Sequence, residues 1–557
     1  MRRAILVAVL LAGCGGGRPP APAPSLILHG AKVFTADPGN PWAQALAVSG
    51  GSIAAVGSDA EVLALAGPST QLVDLGGRVV TPGIVDAHTH VAPLGAPAWF
   101  VNGPDFVARG EHGPDAAEVV QLVSERAASA PAGTPILAIV GPTFYATAGG
   151  SPRQLLDSAT AMHPMIAVDW TGHGLALNSA ALAAAGYVDG QPDPYGGRLS
   201  RDAGGALTGY VQELAEVPVF RALASLLPTE AYAHAYSEYG RAALALGYTS
   251  AVDIPFVLDG ARAAEVIARQ DSALDFVPVC LMDAPGKVCP AGADGVIRRK
   301  LFLDGGPSDC STYVSVPYRA PDSCPAAGPG WVGFRDLTDD ELGAALGDVL
   351  GRGGQLLVHA LGDAAVAALF DRMEALAPAA SWAGRVTLEH GDLIRRGDIA
   401  RARQLGVAIV QNPAHLVVVP PLFALRYDPA LYSEGQPLRS LEAAGITLAF
   451  GSDTFGAPTS PWVDVLLAST HPARPGEALS RKEAVVAYTR HAAAVRQLPP
   501  AVLAPGAAAT LAVLTQDVFS AAPQQLATTA SAVTMVRGRV AWSDGSVQPP
   551  PQGWPMP

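Results

Sequence analysis

Short apolar runs that end in a polar side chain able to bind a metal recur along this chain. The run at 82–90 closes with His88 and His90, and side chains spaced i and i+2 project from the same face of a strand. Four later runs have the same form: 355–359, 386–390, 407–411 and 446–453. Continuously apolar runs of this length, bounded by glycine or polar residues, are typical of buried parallel strands.

Helical patterns lie between these predicted strands. Apolar residues recur at helical spacing over 366–373, after Asp363, whose carboxylate is predicted to cap the helix. A second helix is predicted from Asp398 to Leu405 with its end at Gly406, and a third over 438–444. This alternation predicts parallel strands joined by helical crossovers.

Three segments upstream complete a set of eight predicted strands: 249–253, 276–281 and 300–304. Eight such strands predict an α/β fold with a (β/α)8 barrel of the TIM type, whose active site lies at the carboxyl ends of the strands. The residues with ligand-capable side chains at those ends are His88, His90, His359, His390 and Asp453. One rim would therefore gather four imidazoles and a carboxylate, a set that suits a divalent metal ion.

The rest of the chain predicts two further units. The stretch 92–227 fits no barrel strand and is too long for a structureless loop, so we expect an insertion after strand 1 that folds over the barrel mouth. It contains predicted strands at 136–140 and 165–168 and a helix at 180–185. Strand-like segments at both chain ends predict a β-sandwich built from 25–82 and 505–545, beside a barrel built from 83–91 and 228–504.

The segment 1–24 predicts export. Arg2 and Arg3 precede the apolar stretch 4–12, as in a signal peptide. The sequence Leu-Ala-Gly-Cys at 11–14 resembles a bacterial lipoprotein signal, in which Cys14 is lipidated and a glycine- and proline-rich tether follows. Ordinary signal-peptidase cleavage and a short membrane anchor are the alternatives. We expect a membrane-anchored protein that faces the periplasm or the cell exterior.

Charge and cysteine content narrow the class of protein. The formal net charge is −13, from 36 basic and 49 acidic residues, which argues against nucleic-acid binding. An exported protein can oxidise the four remaining cysteines, Cys280, Cys289, Cys310 and Cys324. Pairing of sequence neighbours is one of three pairings, and buried thiols are the alternative. The oligomeric state stays open.

The ordered set of motifs resembles the metal-dependent amidohydrolase superfamily, within it the family 3 branch that contains N-substituted formamide deformylase and exoenzyme-regulator proteins. The matching segments are PGIVDAHTH at 82–90, KLFLDGG at 300–306, HALGDAAV from His359, LEHGD around His390, QNPAH ending at His415 and GSD ending at Asp453. The resemblance runs from about residue 25 to about residue 544.

The resemblance implies a site for one or two divalent metal ions, with zinc expected. His88 and His90 would bind the first ion, and His359 and His390 would bind the second. Asp453 would ligate the first ion and accept a proton from the attacking water.

Lys300 would be a bridging ligand if CO2 carboxylates it, as in many relatives. A lysine ammonium has no lone pair and cannot ligate, whereas a carboxylated lysine is an anionic oxygen donor. Burial that lowers the pKa of Lys300 would favour the reactive amine. Arg298 and Arg299 beside it are consistent with the alternative of a basic surface turn.

The resemblance also places His173 and His415 on the substrate side of the site. Relatives usually have an aspartate before the Gly-His of the first motif, and Thr171 fills that place here. For His415, a loop histidine bonded to backbone is the alternative.

The resemblance and the predicted rim imply an exported hydrolase that cleaves a non-peptide C–N bond with metal-activated water, in a small amide, formamide or cyclic amide. Two alternatives stay open. The same rim supports hydrolysis of lactones or phosphotriesters, and a lipoprotein that only binds a small molecule would keep the barrel without turnover.

Overall fold

The computed structural model describes residues 23–319, 324 and 327–547, so Cys14 and nearly all of the predicted signal and tether lie outside the described residues. Most strands are short and buried. In chain order they are β1 (Leu26–His29), β2 (Lys32–Phe34), β3 (Trp42–Ala43), β4 (Ala45–Ser49), β5 (Ser52–Gly57), β6 (Gln71–Asp74), β7 (Val79–Pro82), β8 (Ile84–Thr89), β9 (Ile136–Val140), β10 (Met165–Asp169), β11 (Gly174–Leu177), β12 (Gly197–Arg201), β13 (Leu207–Glu213), β14 (Tyr248–Asp253), β15 (Asp275–Pro278), β16 (Cys280–Leu281), β17 (Arg298–Phe302), β18 (Gln355–Ala360), β19 (Val386–His390), β20 (Ala408–Gln411), β21 (Leu448–Phe450), β22 (Leu511–Leu514), β23 (Ser531–Val536) and β24 (Arg539–Ser543).

The α-helices are α1 (Asp59–Leu63), α2 (Asp105–Ala108), α3 (Ala116–Ala127), α4 (Pro142–Thr147), α5 (Pro152–Ala159), α6 (Ser179–Ala184), α7 (Val217–Ser225), α8 (Thr229–Leu246), α9 (Gly260–Arg269), α10 (Asp339–Arg352), α11 (Asp363–Leu376), α12 (Arg396–Leu405), α13 (His415–Val418), α14 (Pro420–Arg426), α15 (Pro429–Tyr432), α16 (Leu438–Ala443), α17 (Pro461–Thr470), α18 (Arg481–Val486), α19 (Ala492–Val495) and α20 (Pro523–Ala527). Short 3-10 turns and one π-helical turn, Ala487–His491, complete the helical elements of the described residues.

Two parallel sheets carry the strands predicted for the barrel. The first has the order β15-β14-β8 and the second has the order β16-β17-β18-β19-β20-β21, so neighbours in space follow chain order. Between β15 and β16, the Val279 amide donates to Asp253 O at 2.9 Å. After β21, the Asp453 amide donates to His88 O at 2.8 Å, which links the end of the second sheet back to β8. The fold is therefore α/β, with helices between most of the consecutive parallel strands.

Several predicted bounds differ from the structure. Strand β17 begins at Arg298 instead of Lys300, and Arg298 and Arg299 are buried in it, so the alternative of a basic surface turn is wrong. The predicted strand 276–281 is interrupted after Pro278, which has no N–H to donate. Helix α11 has Gly362 rather than Asp363 at its N-cap, because the Asp363 carboxylate instead accepts from Ser315 N and Oγ.

The stretch after β8 folds into a sheet of its own, with the order β12-β13-β11-β10-β9. The strand predicted at 136–140 coincides with β9, and that predicted at 165–168 is one residue shorter than β10. Val119, Phe144 and Leu156 pack from three helices against this sheet. The stretch thus has its own apolar core and supplies one wall of the cavity described below.

Both ends of the described chain contribute to two further sheets. One has the order β5-β4-β1-β6, and the other, β24-β23-β22-β7-β2-β3, combines strands from the two ends. Leu28 and Val48 of the first sheet share an apolar core with Val80, Val513 and Met535 of the second. The predicted strand near 533–540 is a hairpin, because the chain turns at Arg537 and Gly538 with positive φ values of 48° and 77°.

Two disulfides join the cysteines that are closest in sequence. Cys280 bonds to Cys289, and Cys310 bonds to Cys324, on either side of β17. Within the described ranges, no helix combines the length and the apolarity that a membrane span needs.

Candidate metal centre

His88 and His90 lie at the end of β8, where their side chains project to the same side and are almost completely buried. Gly451, just after β21, allows this arrangement: a Cβ at Gly451 would lie 2.6 Å from the His88 backbone nitrogen. Only glycine therefore lets the chain after β21 lie directly against β8. The absence of that one side chain brings Asp453 to the two histidines.

Asp453 lies among four imidazoles. Its Oδ1 is 3.1 Å from His90 Nε2 and 3.4 Å from His88 Nε2. Its Oδ2 is 3.5 Å from His415 Nε2 and 3.7 Å from His390 Nδ1. The Asp453 backbone has a positive φ of 54°, a conformation that is uncommon outside glycine and that clusters at functional sites.

The charge states of this group suit metal binding. Burial acts to raise the pKa of Asp453, but His88, His415 and His90 hold that pKa well below its usual range. Burial, and then the charge of Lys300, lowers the pKa of His88 to about 4. Near neutral pH, Asp453 is therefore a carboxylate and His88 is a neutral imidazole with a free lone pair.

His359 and His390 end the neighbouring strands β18 and β19, with ring centroids 4.5 Å apart. His359 Nε2 and Lys300 Nζ are buried and have no hydrogen-bond partner among the described residues. Burial lowers the pKa of Lys300 to about 8, which raises the share of free amine near neutral pH. Buried polar atoms without partners cost free energy, so these two atoms fit a site that an ion and a CO2-derived carbamate would complete.

The nitrogen and oxygen donors fall into two sets that overlap at Asp453. Within the described part of the chain, His88, His90 and Asp453 form one group whose ligand atoms lie within 4.8 Å of one another, and His390, His415 and Asp453 form another. Imidazole and carboxylate ligands suit zinc. The residues present therefore fit a divalent ion, although the second group contains His415 where the sequence resemblance implied His359.

Hydrogen bonds behind the imidazoles fix their orientation. The Nδ1 atom of His88 lies 2.6 Å from Glu389 Oε2, which also accepts from Arg496 Nη2 at 2.6 Å. His90 Nδ1 lies 2.8 Å from Ile254 O. Because these acceptors hold the proton on Nδ1, both Nε2 lone pairs face Asp453.

His415 has a different environment from the other rim histidines. Its Nδ1 lies 3.0 Å from Asp392 Oδ2, and its Nε2 faces Asp453. Burial acts to lower the pKa of His415, but the carboxylates of Asp392 and Asp453 outweigh burial and raise that pKa to about 10. A protonated imidazole has no lone pair for a metal, which favours the predicted role of His415 toward the substrate.

His173 comes from the stretch after β8, and the fold brings its ring centroid to 4.6 Å from that of His359. Its Nδ1 lies 3.1 Å from Glu213 Oε2. Glu213 ends β13 with a positive φ of 57°, and a Cβ at Gly305 would lie only 1.8 Å from Glu213 Oε1. Glu213 therefore holds His173 over the rim and depends on a glycine after β17.

A cavity of about 900 Å³ opens above the rim. Asp453, His359, His390, His415 and His173 lie in its wall. The rest of the wall is mostly apolar and comes both from the loops after the parallel strands and from the stretch after β8. The arrangement can hold a small molecule against the rim and shield it from bulk water.

Sequence reasoning missed the residues that orient the rim. Glu389 and Asp392 lie within the LEHGD motif around His390, so the motif itself carried a signal for them. Arg496 and Glu213 have no motif, and only the fold brings them to His88 and His173.

Comparison with known proteins assigns the chain to a family. The sequence matches the family described as Amidohydrolase family over residues 71–542. It is 27% identical over 495 residues to N-substituted formamide deformylase of Arthrobacter pascens, a match that covers 83% of this chain and 88% of that protein. It is 24% identical over 497 residues to the protein LONG AFTER FAR-RED 3 of Arabidopsis thaliana, and this match covers 84% of this chain and 83% of that protein.

Solved structures share the fold. An uncharacterized metal-dependent hydrolase from Pyrococcus horikoshii superposes with a TM-score of 0.65 at 18% identity, over 90% of this chain and 99% of that chain. A second one, from Pyrococcus furiosus, superposes with a TM-score of 0.63 at 21% identity, over 89% of this chain and 100% of that chain.

Proposed function

The chain belongs to the amidohydrolase family and is a metal-dependent hydrolase of C–N bonds, and we propose that it cleaves a non-peptide C–N bond in an amide, formamide or cyclic amide. The observation that carries this proposal is the set of four imidazoles and one carboxylate around the end of β8. Its relative N-substituted formamide deformylase supports the amide and formamide classes.

We propose that the metal is zinc and that the site holds one or two ions. His88, His90 and Asp453 would hold the first ion, and His359 and His390 would hold the second. Lys300 would serve as a further ligand if CO2 converts it to a carbamate. This assignment is supported by the buried Lys300 Nζ and His359 Nε2, which have no hydrogen-bond partner among the described residues.

A divalent ion held at this rim would lower the pKa of a bound water towards about 7. The Asp453 carboxylate would accept the proton of the attacking water as its oxygen adds to the carbonyl carbon. Asp453 then gives the proton to the leaving nitrogen as the C–N bond breaks, so the products are a carboxylic acid and an amine. His173 and His415 orient the substrate above the rim, and Glu389 keeps the His88 lone pair directed at it.

We propose that the two parallel sheets form one (β/α)8 barrel, from 83–91 and 228–504. The hydrogen bonds at Val279 and Asp453 support this closure. The stretch 92–227 is then an insertion over the barrel mouth, and 25–82 with 505–545 form the sandwich.

Export as a lipoprotein anchored through Cys14 remains our proposal for localisation. The two disulfides support an oxidising compartment. Mass spectrometry of the mature N-terminus tests it: an acylated Cys14 is expected, and an unmodified chain beginning at another residue would contradict it.

Elemental mass spectrometry of the purified protein tests the proposed function first. We expect one to two equivalents of zinc or a similar ion, lost in the double variant His88→Ala/His90→Ala. We expect Asp453→Asn to fold but to lose hydrolysis of N-formyl and N-acyl amines by at least about 1,000-fold. Wild-type metal content in the double variant would contradict the ligand assignment. A fully active Asp453→Asn protein would contradict the mechanism, and lactone or phosphotriester turnover alone would replace the substrate class.

A further inference from the structure

We propose that this enzyme selects amides whose amine portion is bulky, apolar and uncharged, and that it rejects the same amides when they carry a carboxylate. The proposal deepens the proposed function and rests on it. It is based on the composition of the cavity wall, on the pairing of the charges in that wall, and on the position of its aromatic side chains relative to the rim.

The cavity has the size and wall of a site for an apolar group. At about 900 Å³ it is near the upper end of small-molecule pockets, far larger than a formyl or acetyl group requires. Five aromatic side chains line it: Phe100, Trp170, Phe220, Phe256 and Phe455. Leu94, Val107 and Ile139 add to this apolar wall, so the larger part of a substrate meets hydrocarbon.

Apart from the metal ions proposed for the rim, the wall offers no cation to an anionic substrate. Among the described residues that line the cavity there is no lysine and no arginine, while Asp105, Asp169 and Asp453 contribute carboxylates. His415 lies between Asp392 and Asp453, with its Nδ1 3.0 Å from Asp392 Oδ2 and its Nε2 3.5 Å from Asp453 Oδ2, so two carboxylates already face this imidazole. A substrate carboxylate would lose its water without gaining a counter-charge, which is unfavourable.

The aromatic wall begins directly at the reacting end of the cavity. Phe455 stacks on His90 with ring centroids 4.6 Å apart and an interplanar angle of 12°. Phe256 lies on His90 as well, with centroids 4.7 Å apart. An amide that places its carbonyl at the rim therefore places the neighbouring carbon of its amine portion against these rings.

The stretch after β8 closes this wall. A Cβ at Gly172 would lie 2.8 Å from Phe455 Cζ, so glycine allows the loop between β10 and β11 to lie against that ring. Trp170 and His173 come from the same loop and also line the cavity. The insertion thus supplies part of the surface that discriminates between substrates.

Three N-formyl amines of matched shape test the proposal with the zinc-loaded protein. N-formyl-2-phenylethylamine is apolar, N-formylphenylalanine adds one carboxylate, and N-formylphenylalaninamide adds an uncharged group of the same size. We expect kcat/KM for the first to exceed that for the acid by at least about 100-fold, with the carboxamide close to the first. A kcat/KM for the acid equal to or above that for the apolar amide would overturn the proposal. If the carboxamide lost as much kcat/KM as the acid, the size of the added group and not its charge would explain the difference, which would also overturn the proposal.

Binding separates this proposal from the proposed function. Fluorescence of Trp170, identified by its loss in Trp170→Phe, reports binding of the same compounds without turnover. If none is hydrolysed but the apolar amide still binds at least about tenfold more tightly than the acid, the proposed reaction fails while the selectivity stands. Equal binding of the two overturns the selectivity.

Val107→Arg tests the electrostatic cause, because Val107 is half-buried in the wall and arginine can keep its stem there. We expect this variant to narrow the preference for the apolar amide over the acid by at least about fivefold, whereas Val107→Met leaves it unchanged. If both variants unfold at the same temperature as the wild type and show the same preference, the absence of a cation in the wall is not the cause of the selectivity.

Discussion

Single side chains at the rim take their chemistry from their neighbours. Burial alone would protonate Asp453, yet the four imidazoles around it keep it anionic. Lys300 is buried with no hydrogen-bond partner for its Nζ among the described residues, and burial lowers its pKa, so the share of free amine near neutral pH rises. Glu389 accepts hydrogen bonds from both His88 Nδ1 and the Arg496 guanidinium, and it thereby orients the His88 imidazole.

The role of Glu213 gives a prediction at the same scale. Burial raises the pKa of Glu213, so its oxygens serve as hydrogen-bond acceptors for His173 Nδ1 rather than as a charge. We expect Glu213→Leu to lower kcat at least about tenfold through a misplaced His173, while Glu213→Gln retains most of kcat. Steady-state kinetics and metal content check this, and metal content should not change in either variant.

Glu216→Gln is the matched control, because Glu216 is buried nearby and its Oε1 has no hydrogen-bond partner within the described part of the chain. A loss of kcat in Glu216→Gln as large as in Glu213→Leu would mean that general damage to this region, not His173, explains the effect.

At the scale of elements, the site is a property of strand ends. His88 of β8, His359 of β18 and His390 of β19 lie within one residue of the carboxyl ends of their strands, and the loop after β21 brings Asp453 back to β8. The loop between β10 and β11 then places His173 over the same rim. Metal binding and substrate contact thus depend on how closely these ends approach one another.

Gly451→Ala tests that approach. Its added Cβ would lie 2.6 Å from atoms of His88, so β8 and the chain after β21 must separate. We expect the free energy of unfolding to fall by about 1–3 kcal/mol and the metal content to fall with it. Urea unfolding and elemental analysis measure both quantities.

The control for Gly451→Ala is Gly347→Ala in α10, where a Cβ would meet nothing within 4 Å. Alanine there should stabilise the helix slightly, by about 0.5–1 kcal/mol. If both substitutions had the same effect, the close approach at His88 would not be the cause.

For the whole molecule, the balance of buried carboxylates governs how stability depends on pH. The formal net charge is −13, and several of the aspartates that contribute to it are buried around the parallel sheets. Asp464 is one of them: it accepts from the Tyr488 hydroxyl, and burial raises its pKa to about 7. The folded protein therefore binds this proton more tightly than the unfolded chain, in which an aspartate has a pKa of about 3.9.

This difference predicts lower stability at higher pH. The contribution of Asp464 is complete below pH 4 and is lost as pH rises through 7. Asp464→Asn should therefore become more stable relative to the wild type by about 2–3 kcal/mol between pH 5 and pH 8. Chemical denaturation of the metal-free protein measures this, with the exposed Glu238→Gln as control. A difference that does not change with pH would show that Asp464 is charged in the fold.

The sequence predicted the strands and the residues at the rim better than the residues that orient the rim imidazoles. The apolar run at 136–140 is β9, and the resemblance to the amidohydrolases is confirmed by the family match over 71–542. The sequence predicts a strand at 300–304, two residues later than β17, because buried arginines are rare and the pattern favours an exposed Arg298 and Arg299. The ligand roles, the domain bounds and the lipid on Cys14 remain predictions.

By itself, the sequence determined where side chains with metal-ligating atoms follow short apolar strands, since strands ending in histidine or aspartate are local patterns that pleating and burial enforce. Tertiary structure decided how they work. It pairs Glu389 with Arg496 and places Glu213 against His173. It also assembles a cavity wall that has no lysine or arginine among the described residues. These contacts join residues up to hundreds of positions apart in the sequence. Such contacts have no local periodicity, so only the packing of sheets against one another creates them.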